Sequence, residues 1–451
     1  MTEAIERAPL PPARSTLPRA HGGRTGRRWW MAVAAGLLLV LALALRLGYV
    51  SETPGYVLRH DAIDYDTHAR SIANGQGFSK TLARGRPTAF RPPGYPYLLG
   101  AVYRIAGVQN APVKRRLDVA RTEQAIVGTV VVALIGLLAL QLWGPGVALV
   151  ALGLAAIYLP LILVGGAVMS EPLFDVFMLA ALCAAVAHRQ SRHRWRFALL
   201  CGVLAGLAIL TRANALILLA PLAVAAWNRR PRWSRAALGP PVALIVVAAL
   251  TVAPWTIRNA RTLHAFVPVT TQLGSAMAGT YNDVSRHDPV NPAAWRPTFK
   301  VPEYRPLYRR IRRINEAVME RTLRAGAERY IAHHPSYVAT VAWWSTRRMV
   351  DLAGRRRSRA TAATIGIDRV WADRGVLCFW IFAVLAVAGA FTRLARRAPL
   401  FVWAVPVLMY VSVVFLVVET PRYRTPVDPF VVLLAALALV AGAARLARAR
   451  R

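Results

Sequence analysis

Cysteine is nearly absent from the chain: three in 451 residues, with Cys183, Cys201 and Cys378 each inside an apolar run. So few, at such spacing, exclude a disulfide framework and a cysteine-based metal site, and they read as small buried hydrophobes. Acidic residues are scarce as well, 21 against 57 Lys and Arg, and charged residues make up only 17% of the chain. With 56% hydrophobic residues, too little polar surface exists to cover a soluble core of this size. The formal net charge of +36 does not point to nucleic acid. The basic clusters "RTGRRWW", "HRQSRHRWR", "WNRRPRWSR", "RLARRAP" and "RLARARR" sit at the ends of apolar runs, where the positive-inside rule and anionic headgroups place them. No nucleic-acid-binding module is present.

What is abundant is apolar sequence in runs of roughly 20 residues, the thickness of a bilayer core, which predicts an all-α polytopic membrane protein. Spans are expected near 29–50, 119–142, 146–165, 172–188, 197–211, 213–227, 238–257, 375–392, 400–418 and 427–445, about ten by the length rule. Residues 1–28 read as a basic, disordered cytoplasmic tail, and the first apolar run as a signal anchor too long to be cleaved. Alternating outward from that tail leaves the segments at 189–196, 228–235, 393–398 and 447–451 inside, all strongly basic, as the rule requires. The expected organisation follows: a transmembrane core over 29–257 with a first extracytoplasmic loop at 51–118, an extracytoplasmic loop at 258–374, C-terminal spans over 375–446 and a basic cytoplasmic tail at 447–451. The protein is expected in the plasma or inner membrane, with both termini cytoplasmic.

Two stretches test this threading. "YVATVAWWSTRRMVDLAG" (337–354) is apolar enough to suggest a span, but accepting it would reverse every later loop and put two basic clusters outside. It is read as an interfacial helix anchored by Trp343 and Trp344. "PGYPYLLGAVYRIAGV" (93–108) is short and begins with prolines, so it reads as a juxtamembrane helix.

The scarce acids are not spread evenly. "HDAIDYDTHAR" (60–70) places three aspartates just outside the first span. As a helix, Asp61, Asp64 or Tyr65, and His68 share one face, while Asp66 points elsewhere. A carboxylate at this boundary can accept a proton from a hydroxyl, or can simply pair with nearby arginines on a solvated helix. Other ionisable groups gather at the same side. Arg91 lies before two prolines in "AFRPPGYPYLL", Glu171 in "MSEPLF", Arg212 in "LTRANAL", Arg258 in "PWTIRNA", and Arg422 and Arg424 in "ETPRYRTP". Singly each could be a snorkelling anchor. Together they suit a ligand with an anionic phosphate at the membrane surface and a polar group that loses a proton.

The order of a first span, "D-x-x-x-Y" (Asp61 to Tyr65), "ANGQGF", "G-x-P-T-A-x-R-P-P-G-Y-P" (85–96), "SEPLF", "TRANAL", "PWTIRN" and "RYRTP" resembles the GT-C superfamily of polyprenyl-phosphate-sugar-dependent glycosyltransferases. It is similar to the branch of protein O-mannosyltransferases and lipid A aminoarabinose transferase, from about residue 30 to 446. The resemblance implies a conserved transmembrane core with juxtamembrane helices in the first extracytoplasmic loop and an outward-facing cavity. It implies an inverting hexosyl- or pentosyltransferase moving sugar from a polyprenyl-phosphate donor to an acceptor hydroxyl on a glycan, glycolipid or protein. Asp61 takes the position of the family's catalytic aspartate and Glu171 that of a second acid, where the related branch often has aspartate. Arg91 stands where that branch has a lysine contacting the donor phosphate, and Arg422 and Arg424 match a basic outer segment. Asp64, Tyr65, Tyr95, Arg212 and Arg258 complete the candidate substrate contacts.

No cofactor is required by these motifs. Members of the superfamily differ in metal use, and His60, Asp61, Asp64 and His68 could supply ligands to a divalent cation, although no established ligand spacing is present. A transporter or flippase of a lipid-linked sugar is the competing reading, and a non-catalytic envelope scaffold a third. Transport predicts ionisable groups near the bilayer midplane on broken helices. Here most of them fall at outer span ends.

Overall fold

The computed structural model describes residues 22–79, 87–227, 231–311, 313–416 and 421–450. The expected tail at 1–28 falls largely outside them. Among the described residues the chain is helical, with no strand and one isolated bridge between Ser79 and Pro87. Helices suit apolar runs because each backbone N–H and C=O is satisfied within its own segment.

Among the described residues, seven helices are long and apolar enough to cross a membrane: Trp29–Glu52, Val113–Trp143, Glu171–Gln190, Arg194–Thr211, Arg235–Leu263, Arg369–Ala390 and Asp428–Ala449. The pair Pro145–Ile157 and Leu159–Gly165, bent by 55°, has the length and composition of a broken span or a re-entrant loop. Pro160 explains the bend, since its ring clashes with the carbonyl four residues earlier and its nitrogen donates nothing. Two further apolar helices, Ala213–Ala226 and Leu400–Val414, are shorter. The expected ten is reached only if the bent pair and both of these cross. Residues 337–354 form no long apolar helix. Pro335–Met349 is a 15-residue helix with Trp343 exposed and Trp344 covered by the guanidiniums of Arg347, Arg348 and Arg357.

The spans pack through small residues, as expected where lipid is as apolar as leucine. A Cβ at Gly202 would lie 2.6 Å from the Leu244 carbonyl oxygen, so glycine lets the helices Arg194–Thr211 and Arg235–Leu263 meet closely.

Two shorter helices, Asp61–Ala73 and Gly94–Ile105, rest on one end of this bundle. Gly94 allows the second to sit on the end of Arg194–Thr211, where a Cβ would come within 2.6 Å of Thr211 Oγ1. The first is pinned by Asp66, which accepts from Arg116 Nε at 3.0 Å and Nη2 at 2.8 Å and from Tyr103 OH at 2.9 Å. Asp66 is therefore a buried anchor, facing away from Asp61 as the helical spacing predicts. Beyond them, Gln272–Thr280, Glu316–His333 and Pro335–Met349 enclose a second core of Tyr281, Tyr304, Leu323, Tyr337 and Val341.

Candidate active site

Asp61 opens its helix directly after His60, whose φ of 46° lies in the left-handed region. A non-glycine residue there is uncommon and costs roughly 1–3 kcal/mol, so the surrounding contacts must hold it. Asp61 meets two other segments, those of Arg91 and Arg422. Arg91 Nη2 lies 2.6 Å from Asp61 Oδ1 and 2.6 Å from Asp64 Oδ2, and its Nε donates to the same Asp64 oxygen at 3.0 Å. Arg422 Nη2 donates to the other Asp61 oxygen at 2.5 Å.

The chain of charges continues. Arg422 Nε lies 3.5 Å from Glu171 Oε1, and Arg212 Nη1 lies 2.8 Å from that same oxygen. Glu171 is fully buried, whereas the Asp61 side chain keeps 21% of its surface and Asp64 37%. The alternating series Asp64, Arg91, Asp61, Arg422, Glu171, Arg212 thus holds three carboxylates and three guanidiniums, open to solvent at the Asp61–Asp64 end. Burial pushes the Asp61 carboxyl up, but Arg91 and Arg422 outweigh it and hold the group well below the usual carboxylate range. The carboxylates in turn hold Arg91 and Arg422 firmly protonated, against the effect of burial.

Tyr65 backs the cluster. Its OH donates to Ser170 Oγ at 3.1 Å, and its ring meets Tyr95 edge-on at 5.1 Å and Arg91 at 5.5 Å. Arg91 owes its position to "RPPG": two prolines fix the turn before helix Gly94–Ile105. Met169 and Ser170, which sequence reasoning passed over, join the site through Arg422 and Arg212. Neither carries a charge that would have marked it.

Other candidates lie elsewhere. Arg258 donates to the backbone carbonyls of Thr88 at 2.6 Å and Phe78 at 3.0 Å and covers Trp255. It supports the loop that carries Arg91 and does not enter the cluster. Arg424 turns away from Asp61 to Asp428 at 2.9 Å, Asp351 at 3.0 Å and the Met349 carbonyl at 2.8 Å. Tyr95 is fully buried behind Tyr65, so it reaches the cluster only through that ring. His68 stacks on Phe78, with Nδ1 2.6 Å from the Ser79 carbonyl oxygen. Among the described residues no group of three or more His, Cys, Asp or Glu side chains is disposed to hold a metal.

Two further acids, Glu123 and Asp175, are buried within spans, and neither has a hydrogen-bond partner among the described residues. Their signal in the sequence is an acid inside an apolar run. Asp175 lies one turn along from Glu171 and lines a small cavity with Gly128 and Thr425.

A larger cleft opens beside Arg422. Arg422 lines it together with the Arg424, Asp351 and Asp428 group and the apolar side chains of Leu163, Ile365 and Ile367.

Comparison with known proteins agrees with this architecture. Residues 90–257 match the family model described as dolichyl-phosphate-mannose-protein mannosyltransferase. No curated protein matches the chain by sequence. The archaeal oligosaccharyltransferase AglB from Archaeoglobus fulgidus, solved with an inhibitory peptide and a dolichol-phosphate, aligns over 94% of this chain at a TM-score of 0.53 and 14% identity. Its apo form aligns over 94% at 0.53 and 13% identity. The chain spans about half the length of that protein, 51% and 52% in the two structures. ArnT from Cupriavidus metallidurans, bound to undecaprenyl phosphate, aligns over 92% of this chain and 78% of its own, at a TM-score of 0.41 and 15% identity. The chain shares its fold with the oligosaccharyltransferase, and its 90–257 segment matches the mannosyltransferase family model, in line with the resemblance that its motifs carry.

Proposed function

We propose that the protein is an inverting glycosyltransferase that moves a hexosyl or pentosyl group from a polyprenyl-phosphate donor to an extracytoplasmic acceptor hydroxyl. The observation that carries this reading is Asp61 held between two guanidiniums, Arg91 and Arg422, the second of which also lines a largely apolar cleft. The name of the matched family, with its dolichyl-phosphate-mannose donor, supports a lipid-phosphate sugar. The positive-inside distribution of basic segments supports an outward-facing site.

In the reaction the donor phosphate enters beside Arg91 and Arg422, and the isoprenoid chain follows the apolar cleft toward the bilayer. A guanidinium binds a phosphate through two parallel charge-assisted hydrogen bonds, a geometry suited to replacing its carboxylate partner. Asp61, released from its pairing, regains basicity and takes the proton of the acceptor hydroxyl. The acceptor oxygen forms a bond to the anomeric carbon while the bond from that carbon to the phosphate oxygen breaks. The electron pair leaves with polyprenyl phosphate, whose charge the arginines stabilise. Attack and departure on opposite faces invert the anomeric configuration. Glu171, paired with Arg212 and Arg422, orients the second of the phosphate-binding arginines.

The test is release of polyprenyl phosphate from a panel of labelled polyprenyl-phosphate sugars, with envelope extract supplying acceptors, comparing the wild type with Asp61→Asn. Turnover of a donor by the wild type and its loss in the variant supports the reading. Equal rates remove Asp61 from the base role. Transporters use broken spans, one of the two forms that the bent pair at Pro145–Gly165 fits, so movement of labelled donor across vesicles without turnover would favour a flippase.

A further inference from the structure

The turn that carries Arg91 is held by a residue from the far side of the outer loop. Glu316, the first residue of helix Glu316–His333, sends its carboxylate into residues 88–90. Its Oε2 accepts from Thr88 Oγ1 at 2.6 Å, and its Oε1 from the Ala89 amide at 3.0 Å and from Thr271 Oγ1 at 2.6 Å. The Thr271 amide donates to the Ala89 carbonyl at 3.0 Å, and Thr270 Oγ1 to the Phe90 carbonyl at 2.5 Å. Arg258 takes the Thr88 carbonyl. Three elements therefore converge on three residues, and the residue that follows is Arg91.

Glu316 is itself fixed. Asn315 caps its helix by accepting from the Ala317 amide at 2.8 Å and donates to the Leu263 carbonyl at 2.8 Å. The helix start is thus tied to the end of the span Arg235–Leu263. Every bond from Glu316 to the turn is charge-assisted, the stronger class of hydrogen bond. No atom of Glu316 is paired with Arg91 or Asp61, so it acts on them only through the backbone.

We infer that Glu316 is a positioning residue for the donor phosphate, locking the 88–90 turn so that Arg91 is presented at Asp61. The inference rests on the proposed donor reading for its functional consequence. A small displacement of a positioned group can cost roughly 100-fold in rate, so a single clamp of this kind is enough to matter.

The experiment uses the full-length protein in nanodiscs with two readouts: hydrogen exchange of the amides in segment 87–92, and affinity for polyprenyl phosphate itself. In Glu316→Ala, exchange at Ala89 should rise and polyprenyl-phosphate affinity should fall roughly tenfold or more. Glu316→Gln keeps an oxygen for the Ala89 amide and an amide group for the Thr88 hydroxyl, so it should retain most of both. Thr271→Val, which removes one donor and leaves the carboxylate, should show a smaller loss of the same kind. Unchanged exchange in Glu316→Ala overturns the clamp, and raised exchange with unchanged affinity overturns its role at the phosphate. A wild type that binds no polyprenyl phosphate overturns the donor reading instead, and the exchange arm alone then decides whether Glu316 holds the turn.

Discussion

Arg422 donates from Nη2 to Asp61 Oδ2 over 2.5 Å, and its Nε lies 3.5 Å from Glu171. With Arg91 on the other Asp61 oxygen, the carboxylate proposed as a base is fully engaged by positive charge. A base so stabilised is a weak one. In the proposed reaction the cluster becomes competent only when an anion draws the guanidiniums away, which would couple proton abstraction to the presence of a donor phosphate.

This coupling has a pH signature. Asp61 is held below the usual carboxylate range in the free protein, so its ionic contribution to stability is present above an unfolded value of about 3.9 and is lost as pH falls through the lower folded value. The acid limb of kcat/KM reports the free enzyme and should therefore lie at very low pH. The limb of kcat reports the loaded enzyme, in which the phosphate competes for Arg91 and Arg422, and it should lie at higher pH. Steady-state profiles in nanodiscs measure both. Coincident limbs would mean that the donor leaves the Asp61 pairs intact.

The spans were legible because their signal is local: runs of apolar residues of bilayer length, closed by arginines. So was the face shared by Asp61 and Asp64, since a three-residue step on a helix brings side chains together, and both meet Arg91. The partner of each arginine was not legible. Arg422 and Arg424 are two positions apart in one segment, yet the first reaches Asp61, 361 positions away, and the second folds back on Asp428 and Asp351. Nothing in "RYR" distinguishes them. Glu316 was passed over for the same reason, because its acceptor role depends on a turn 227 positions earlier. Tertiary pairing of this kind leaves no periodicity to read.

Arg424 and Arg422 should separate cleanly on substitution. Arg424→Ala leaves Asp351 and Asp428, both essentially buried, without their shared cation and should cost about 3–5 kcal/mol of stability. Its donor KM per folded molecule should stay near wild type. Arg422→Ala should raise donor KM roughly tenfold or more, the loss of one or two charge-assisted bonds. Unfolding titrations paired with donor kinetics make the comparison. A higher donor KM in folded Arg424→Ala would place that residue at the phosphate after all.

The pair of Arg212 and Glu171 should behave as a unit. Arg212→Ala leaves a fully buried carboxylate with Arg422 at 3.5 Å as its nearest remaining cation, and a loss of about 3 kcal/mol is expected. Adding Glu171→Gln removes the stranded charge, so the double variant should recover at least half of that loss. A double-mutant cycle by chemical unfolding reads the coupling, and additive losses would mean that the two side chains do not support each other.

Asp61 and Asp64 share Arg91 but should differ in consequence. Asp61 alone bridges the two arginines and faces the cleft side through Arg422, whereas Asp64 is half-buried and paired with Arg91 only. Asp61→Asn removes the proposed base and should slow single-turnover transfer by roughly 100- to 10,000-fold, the range for a positioned general base. Asp64→Asn removes one partly exposed ion pair, worth about 0–1 kcal/mol, and Arg91 keeps Asp61, so the rate should fall less than roughly tenfold. Single-turnover measurements with saturating acceptor isolate the chemical step from donor binding. If Asp64→Asn proves the more damaging, the acceptor proton goes to Asp64 at the solvent-facing end of the cluster, and Asp61 serves to hold the arginines in place.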